Sequence, residues 1–298
     1  MNAFLLIVSV VMNLLSCGIL RNHFCKKEIA TGADLHTFNA VSSILSAIVL
    51  AVIALAGGSL MLPSVYTLLM GVVFGLATAL CAVLHMRALE TGPLSYTNVI
   101  TSCAMVIPSL SGLLFFGESV SAGQYVGMAL MLISIFCAVD SSNQESGTSL
   151  KWLLLCMGSF VCSGAVGVMQ KVHQSSPHRD ELGVFLVIAF VVSAVFSAVM
   201  AAAGHKKGEA VRVLAPERVR KLIIFSIVCG VGIALCNQIN MYLAGVMDAM
   251  IFYPVVNGGS MILTTIAGVA LWHEKLSRRQ WAGLLTGGAA IFLLCGIL

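Results

Sequence analysis

Residues 114–127 read LFFGESVSAGQYVG, and residues 270–283 read ALWHEKLSRRQWAG. They align without a gap at a shift of 156 positions, which sets Glu118 on Glu274, Ser121 on Ser277, Gln124 on Gln280 and Gly127 on Gly283. Upstream, the same shift sets Ala88 on Ala244 and Gly112 on Gly268. The matches gather at equivalent positions along the chain instead of scattering, which marks an internal repeat. Working outward, ten apolar runs are found, five in each copy: residues 3–20, 37–58, 64–86, 93–116, 120–139, 150–170, 183–204, 222–243, 248–272 and 280–297. Each approaches the roughly 20 residues a helix needs to cross a bilayer core of about 30 Å. The runs are long and lack two-residue alternation, and a strand in lipid would leave its backbone unpaired, so they predict helices.

An odd number of spans per copy puts the two copies in opposite senses. The expected fold is therefore an all-α integral membrane protein with ten transmembrane helices in two inverted five-helix repeats. Residues 1–139 would form the first repeat, 140–149 a linker loop and 150–298 the second repeat. The basic residues fit. Fourteen of the sixteen Lys and Arg lie in the loops joining spans 1–2, 3–4, 5–6, 7–8 and 9–10, and only Lys171 and Arg179 lie in the others. Positive loops stay in the cytoplasm, so this bias predicts both termini outside.

Composition agrees. The 298-residue chain is 59% hydrophobic and 9% charged, against about 25% charged in a soluble domain. That excludes soluble enzymes and disordered chains. The net charge of +4 sits in short loops, so it reads as membrane topology and not as nucleic-acid binding. The ten cysteines lie mostly in apolar runs without a CxxC pair, and they read as small buried hydrophobes. The first apolar run has no basic segment before it and no small-residue cleavage site after it, so no signal peptide is expected.

The stretch from Ala88 to Phe136, with LETGPLSYTNVITSCAMVIPSLSGLLFFGESVSAGQYVG at its heart, resembles the end of an EamA-type repeat, and so does the stretch from Tyr242 to Leu294. The shared pattern is a small residue after the third span, a Pro in the fourth, then Gly-Glu, then Gln-x-x-Gly opening the fifth. The chain as a whole resembles the drug/metabolite transporter superfamily. That resemblance implies a ten-helix secondary transporter, often an exporter of amino acids or other small metabolites. Three features depart from it. The second copy has His273-Glu274 in place of Gly-Glu. Pro108 of the first copy faces Thr264 in the second, where Pro254 comes earlier. Family members usually keep both termini in the cytoplasm, against the charge bias.

A site in such a repeat is expected near the midplane, where Gly or Pro breaks a helix. In the ninth span Tyr253, Asn257, Ser260 and Thr264 fall on one helical face beside Pro254 and Gly258-Gly259. The related fourth span offers Thr97, Asn98 and Thr101. Asn237 and Asn240 in the eighth span and Asn13 in the first add amides. All ten are candidate substrate-pathway residues, or else polar contacts between helices. Tyr242, Phe252 and Tyr253 could form part of a cage for an organic cation, or an interfacial aromatic belt. Trp152, Trp272 and Trp281 read as belt residues. Gly71-x-x-x-Gly75 and Gly283-x-x-x-Gly287 read as close-packing faces. Glu118 and Glu274 read as turn caps or as partners of loop cations.

No Walker A loop, HExxH or GxSxG occurs, so no catalytic residue, metal or cofactor is expected. The expected function is secondary active or facilitative transport, as an exporter, of a small polar metabolite such as an amino acid, by alternating access. The alternative is an integral membrane enzyme or flippase handling a lipid-linked substrate. The expected partners are a small-molecule substrate and the lipid bilayer, without nucleic acid. The chain would act as a monomer or homodimer in the cell membrane, the bacterial inner or plasma membrane.

Overall fold

A computed structural model describes residues 2–16, 28–29, 31–59, 61–91, 97, 100–101, 103–137, 149–206, 211–272 and 277–295. Among them are ten α-helices and no strand. The helices are α1 Asn2–Asn13, α2 Gly32–Ala56, α3 Val65–Thr91, α4 Val106–Phe115 and α5 Ala122–Cys137. Then come α6 Leu150–Gln174, α7 Leu182–Lys206, α8 Pro216–Val246, α9 Ala249–Trp272 and α10 Arg278–Leu294.

The ten runs thus become ten helices, but they are not equal. Five helices, α2, α3, α6, α7 and α8, are long and apolar enough to cross a membrane. Four others, α1, α4, α5 and the first part of α9, give described apolar helix of only 10–17 residues. Within the expected helix over 93–116, the described residues 97, 100 and 101 are helical. A 3₁₀ turn at Cys103–Met105 precedes the ten-residue α4, and Pro108 sits inside the first turn of α4, where its missing N–H costs no hydrogen bond.

The long helices carry apolar side chains on open faces. Ile44, Ile48, Val52 and Leu55 form an exposed stripe on α2, and Val191, Val195 and Val199 form another on α7. Such stripes in water would be aggregation sites; they suit contact with lipid.

The repeat noticed in the sequence has a local structural cause. At the start of α5, the Gln124 N–H donates to Ser121 Oγ at 3.3 Å, and the Ser121 N–H donates to Gln124 Oε1 at 2.8 Å. At the start of α10, Gln280 and Ser277 make the same two bonds at 3.3 and 2.8 Å. Both are capping boxes, which satisfy N–H groups that a helix start otherwise leaves orphaned. The aligned Ser and Gln are therefore conformational necessities at two equivalent helix starts.

The chain divides into two compact units. Unit one takes residues 3–79 and 173–245, and unit two takes 80–172 and 246–298. Each unit draws segments from both copies.

In unit one, α2 packs along α7, and Gly183 leaves room for Ala54. The Gly71 and Gly75 face of α3 lies against α7 as expected. A Cβ on Gly75 would overlap the Ala189 carbonyl oxygen and stand 3.0 Å from Val192. The Ser46 hydroxyl donates to the Gly230 carbonyl at 2.9 Å and ties α2 to α8. Asp34, fully buried, accepts the Val213 N–H at 3.0 Å beside a cluster of Phe38, Val213, Leu222 and Cys229.

In unit two, α5 packs along α10. Ser134 donates to the Gly283 carbonyl at 2.6 Å, and a Cβ on Gly127 would stand 2.9 Å from the Leu294 side chain. The Gly283 and Gly287 face is thus used for internal packing.

Gly75→Ala is expected to cost about 1–3 kcal/mol, because the new methyl meets backbone that cannot move aside. Thermal unfolding in detergent checks it; an unchanged midpoint would contradict the close approach of α3 and α7.

Candidate functional site

In unit two, Pro108 of α4 and Tyr253 of α9 converge on a glycine-lined stretch of α6. A Cβ on Gly167 would lie 2.8 Å from Pro108 and 3.2 Å from the Tyr253 ring, and one on Gly164 would overlap Ile107. The Tyr253 hydroxyl donates to the Gly167 carbonyl at 2.6 Å. Tyr253 is buried, and its ring meets Phe252 edge to face at 4.7 Å. Its hydroxyl is therefore engaged in holding α9 to α6.

One turn further along α9, Asn257 is exposed and Ser260 is half-buried. Asn257 Nδ2 donates to the Tyr253 carbonyl at 2.9 Å, within its own helix. That bond leaves Asn257 Oδ1 and one amide hydrogen to serve a further partner. Gly258 on the neighbouring face is filled by Met131 of α5. The described part of the expected α9 face thus splits into an anchor, Tyr253, and a polar pair, Asn257 and Ser260. The Thr264 side chain lies outside the described set.

The fourth-span candidates are engaged elsewhere. The buried Thr97 hydroxyl accepts the Trp152 indole N–H at 2.9 Å, and Cys156 Sγ lies 3.9 Å away. Thr101 donates to the Thr97 carbonyl at 3.0 Å. Asn98 lies outside the described residues. Trp152 itself is not a belt residue. It is buried with Ala88 and Cys156, because its indole N–H finds a protein acceptor there. Trp281 is about half exposed, as a belt residue would be.

In unit one, Asn240 of α8 accepts the Ser9 hydroxyl of α1 and donates to Cys236 Sγ at 3.5 Å, which makes it a link between helices. Asn237 is half-buried and donates to the Ile233 carbonyl at 2.9 Å. Asn13 is half-buried on α1. Tyr242 is partly exposed.

The Thr97 role is open to a simple test. Thr97→Val keeps the shape but leaves the Trp152 N–H unpaired in the interior, at a cost of about 1–3 kcal/mol. Thermal unfolding should fall accordingly, while flux per folded molecule stays unchanged. A loss of flux without a loss of stability would return Thr97 to the pathway.

Two charged clusters have partners that the sequence did not show. In unit two, Lys171 Nζ lies 2.7 Å from Glu118 Oε1, with both side chains under a tenth exposed. Lys171 also donates to the Met247 carbonyl at 2.8 Å, and Glu118 Oε2 accepts the Ala249 N–H at 2.8 Å. Three chain segments are clasped here: the α4–α5 turn, the end of α6 and the α8–α9 turn. Gly117 allows the clasp by taking φ 63°, and the Glu118 N–H then returns to the Gly112 carbonyl at 3.2 Å. Gly112 must lack a Cβ, which would overlap Glu118 Oε2. Glu118 thus both caps a turn and holds a cation, as read from the sequence. Lys171, one of only two cations on its set of loops, is neutralised, which sharpens the charge bias.

The second cluster lies in unit one. Glu181 accepts the Ser64 N–H and hydroxyl, each at 2.9 Å, and lies 3.2 Å from His178 Nδ1. His173, fully buried, sits 3.3 Å from the Thr67 hydroxyl. The signal available was two His and two acidic residues within the short break HQSSPHRDE.

Residues 22–139 match the EamA-like transporter family, within the drug/metabolite transporter superfamily. The chain carries an EamA-like transporter domain. An uncharacterized protein of Haemophilus influenzae is 24% identical over 213 residues, which cover 70% of this chain and 68% of that protein. A solved crystal structure of another protein superposes with a TM-score of 0.74 at 13% identity, covering 99% of each chain, and shows the shared fold alone. With its long apolar helices, this EamA-like chain is a multi-pass membrane protein. Members of the family are transporters and not enzymes.

Proposed function

We propose that this protein is a secondary active or facilitative transporter that exports a small polar metabolite, such as an amino acid, by alternating access of its two inverted repeats. The EamA-like match on a ten-helix fold carries this reading. The α9 arrangement supports it: Pro254 and the Gly258-Gly259 pair lie within the helix, and the exposed Asn257 presents an uncharged amide beside them. Such groups pair with dipoles, which favours a neutral or zwitterionic solute over one carrying net charge. Asn237 and Asn13 are further pathway candidates. The protein would act as a monomer or homodimer in the bacterial inner or plasma membrane.

The substrate is sought by thermal-shift screening of the purified protein against metabolites. A ligand at one hundred times its Kd stabilises the native state by about 2.7 kcal/mol. Hits are then tested for flux in proteoliposomes. Hits confined to lipid-linked compounds, with no solute flux, would favour the membrane-enzyme or flippase reading.

A further inference from the structure

The hydrogen bonds around His173 fix its protonation state. Gln174 Nε2 lies 3.4 Å from the Arg179 carbonyl, which can only accept, so the amide nitrogen must face that way. The same nitrogen lies 3.2 Å from His173 Nδ1. Nδ1 therefore accepts and carries no proton. A neutral ring with Nδ1 bare carries its proton on Nε2, which faces the Thr67 hydroxyl. The hydroxyl oxygen then accepts from His173 Nε2–H at 3.3 Å. The ring is a neutral imidazole with its proton on Nε2, held from both sides.

This arrangement has no place for a second proton. A hydrogen on Nδ1 would point at the Gln174 amide hydrogens. It is accommodated when the Gln174 amide turns over to present Oε1, and that breaks its bond to the Arg179 carbonyl. The bond ties the end of α6 to the turn that leads into α7. The turn holds further contacts: Ser176 donates to the His173 carbonyl at 2.7 Å, and His178 and Glu181 bind each other. Gln174 Oε1 also packs at Gly245, at the end of α8, so turning the amide over disturbs that contact as well.

His178 is about two-fifths exposed and lies 3.2 Å from Glu181, on the turn that follows His173. Tyr66 of α3 stacks on both imidazoles, with centroids 6.2 Å from His173 and 5.3 Å from His178. Among the described residues, Glu181, His178 and Tyr66 are the titratable groups found beside His173. From α7 comes the Phe185 ring at 4.3 Å, and Arg179 and Asp180 extend outward and pair loosely with each other.

We propose that His173 is a proton-binding site: one proton taken from solvent at Nδ1 converts it to the imidazolium, turns Gln174 over and releases the α6–α7 turn. The site does not depend on which solute is carried. It can alter the rate of a conformational step while leaving solute affinity unchanged.

The test uses the full chain in detergent with ¹⁵N-labelled histidine, and hydrogen exchange of the amides of residues 174–181. At about pH 8 the His173 ring should show the Nε2–H tautomer. Acidification should add a proton at Nδ1 and lower the protection of those amides by about tenfold or more, after correction for intrinsic exchange. In His173→Gln that loss of protection should vanish. In Gln174→Glu a carboxylate faces Nδ1 and favours the imidazolium, so the transition should move to higher pH by about one unit or more. The Gln174→Glu result stands alone if His173→Gln does not fold. A proton on Nδ1 at high pH, an unchanged transition in His173→Gln, or no upward movement in Gln174→Glu would overturn the proposal. None of these outcomes bears on whether the protein transports a solute.

Discussion

Replacing Lys171 with Met should lower the stability of this EamA-like protein by about 3–5 kcal/mol. The side chain is nearly fully buried, and three acceptor contacts depend on it or on its partner. Removing the ammonium leaves the Glu118 carboxylate in the interior with one N–H donor, that of Ala249, and no counter-charge. A buried unpaired charge is what makes the loss large; the attraction within the pair contributes much less net, because both ions were taken out of water. The double variant Lys171→Met/Glu118→Gln should therefore regain most of the lost stability. The amide oxygen introduced at position 118 can still accept the Ala249 N–H. Denaturant unfolding of the wild type, both single variants and the double variant checks this. Losses that simply add would show that the two groups do not act as a pair. The expected non-additivity is about 0.5–3 kcal/mol in other contacting pairs and, given the burial, should approach about 3 kcal/mol here.

Asn257→Leu should reduce transport by about tenfold or more with little change in the folded amount. The variant removes an amide that can serve a solute with two hydrogen bonds, each worth about 0.5–1.5 kcal/mol, and each increment of about 1.4 kcal/mol is a factor of ten. Among the described residues, the hydrogen bond that the Asn257 side chain makes goes to the Tyr253 carbonyl of its own helix, so the fold loses little. Tyr253→Phe should behave in the opposite way, because the bond to Gly167 is a helix–helix anchor. Normal flux by Asn257→Leu would remove α9 from the pathway.

The number and order of helices were legible because lipid demands long apolar runs and the loops punctuate them plainly. The Ser-x-x-Gln pairs at 121–124 and 277–280 were legible as a repeat, although their capping geometry explains why those residues recur. The tightening of the helix was not legible: apolar composition across 93–116 does not show the 3₁₀ turn at Cys103–Met105. Burial by distant partners was also hidden. Trp152 stands near the start of a span, where belt residues stand, and only the fold brings Thr97 to its indole N–H. Tyr253 shared a helical face with Asn257, yet a glycine on α6 lets the backbone come close enough to take its hydroxyl. The Lys171–Glu118 pair could not be read from either residue alone, since each stands at the end of a different apolar run.

The most direct test of the transport account is counterflow in proteoliposomes. Vesicles loaded with one unlabelled solute, drawn in turn from pools of amino acids and other small polar metabolites, are diluted into a trace of the same labelled solute. A carrier working by alternating access exchanges inner for outer molecules, so the label should accumulate transiently above its equilibrium level and then decline. The overshoot should appear with the wild type and be lost with Asn257→Leu. A screen in which no solute gives an overshoot, with protein shown to be folded and inserted, would contradict the account.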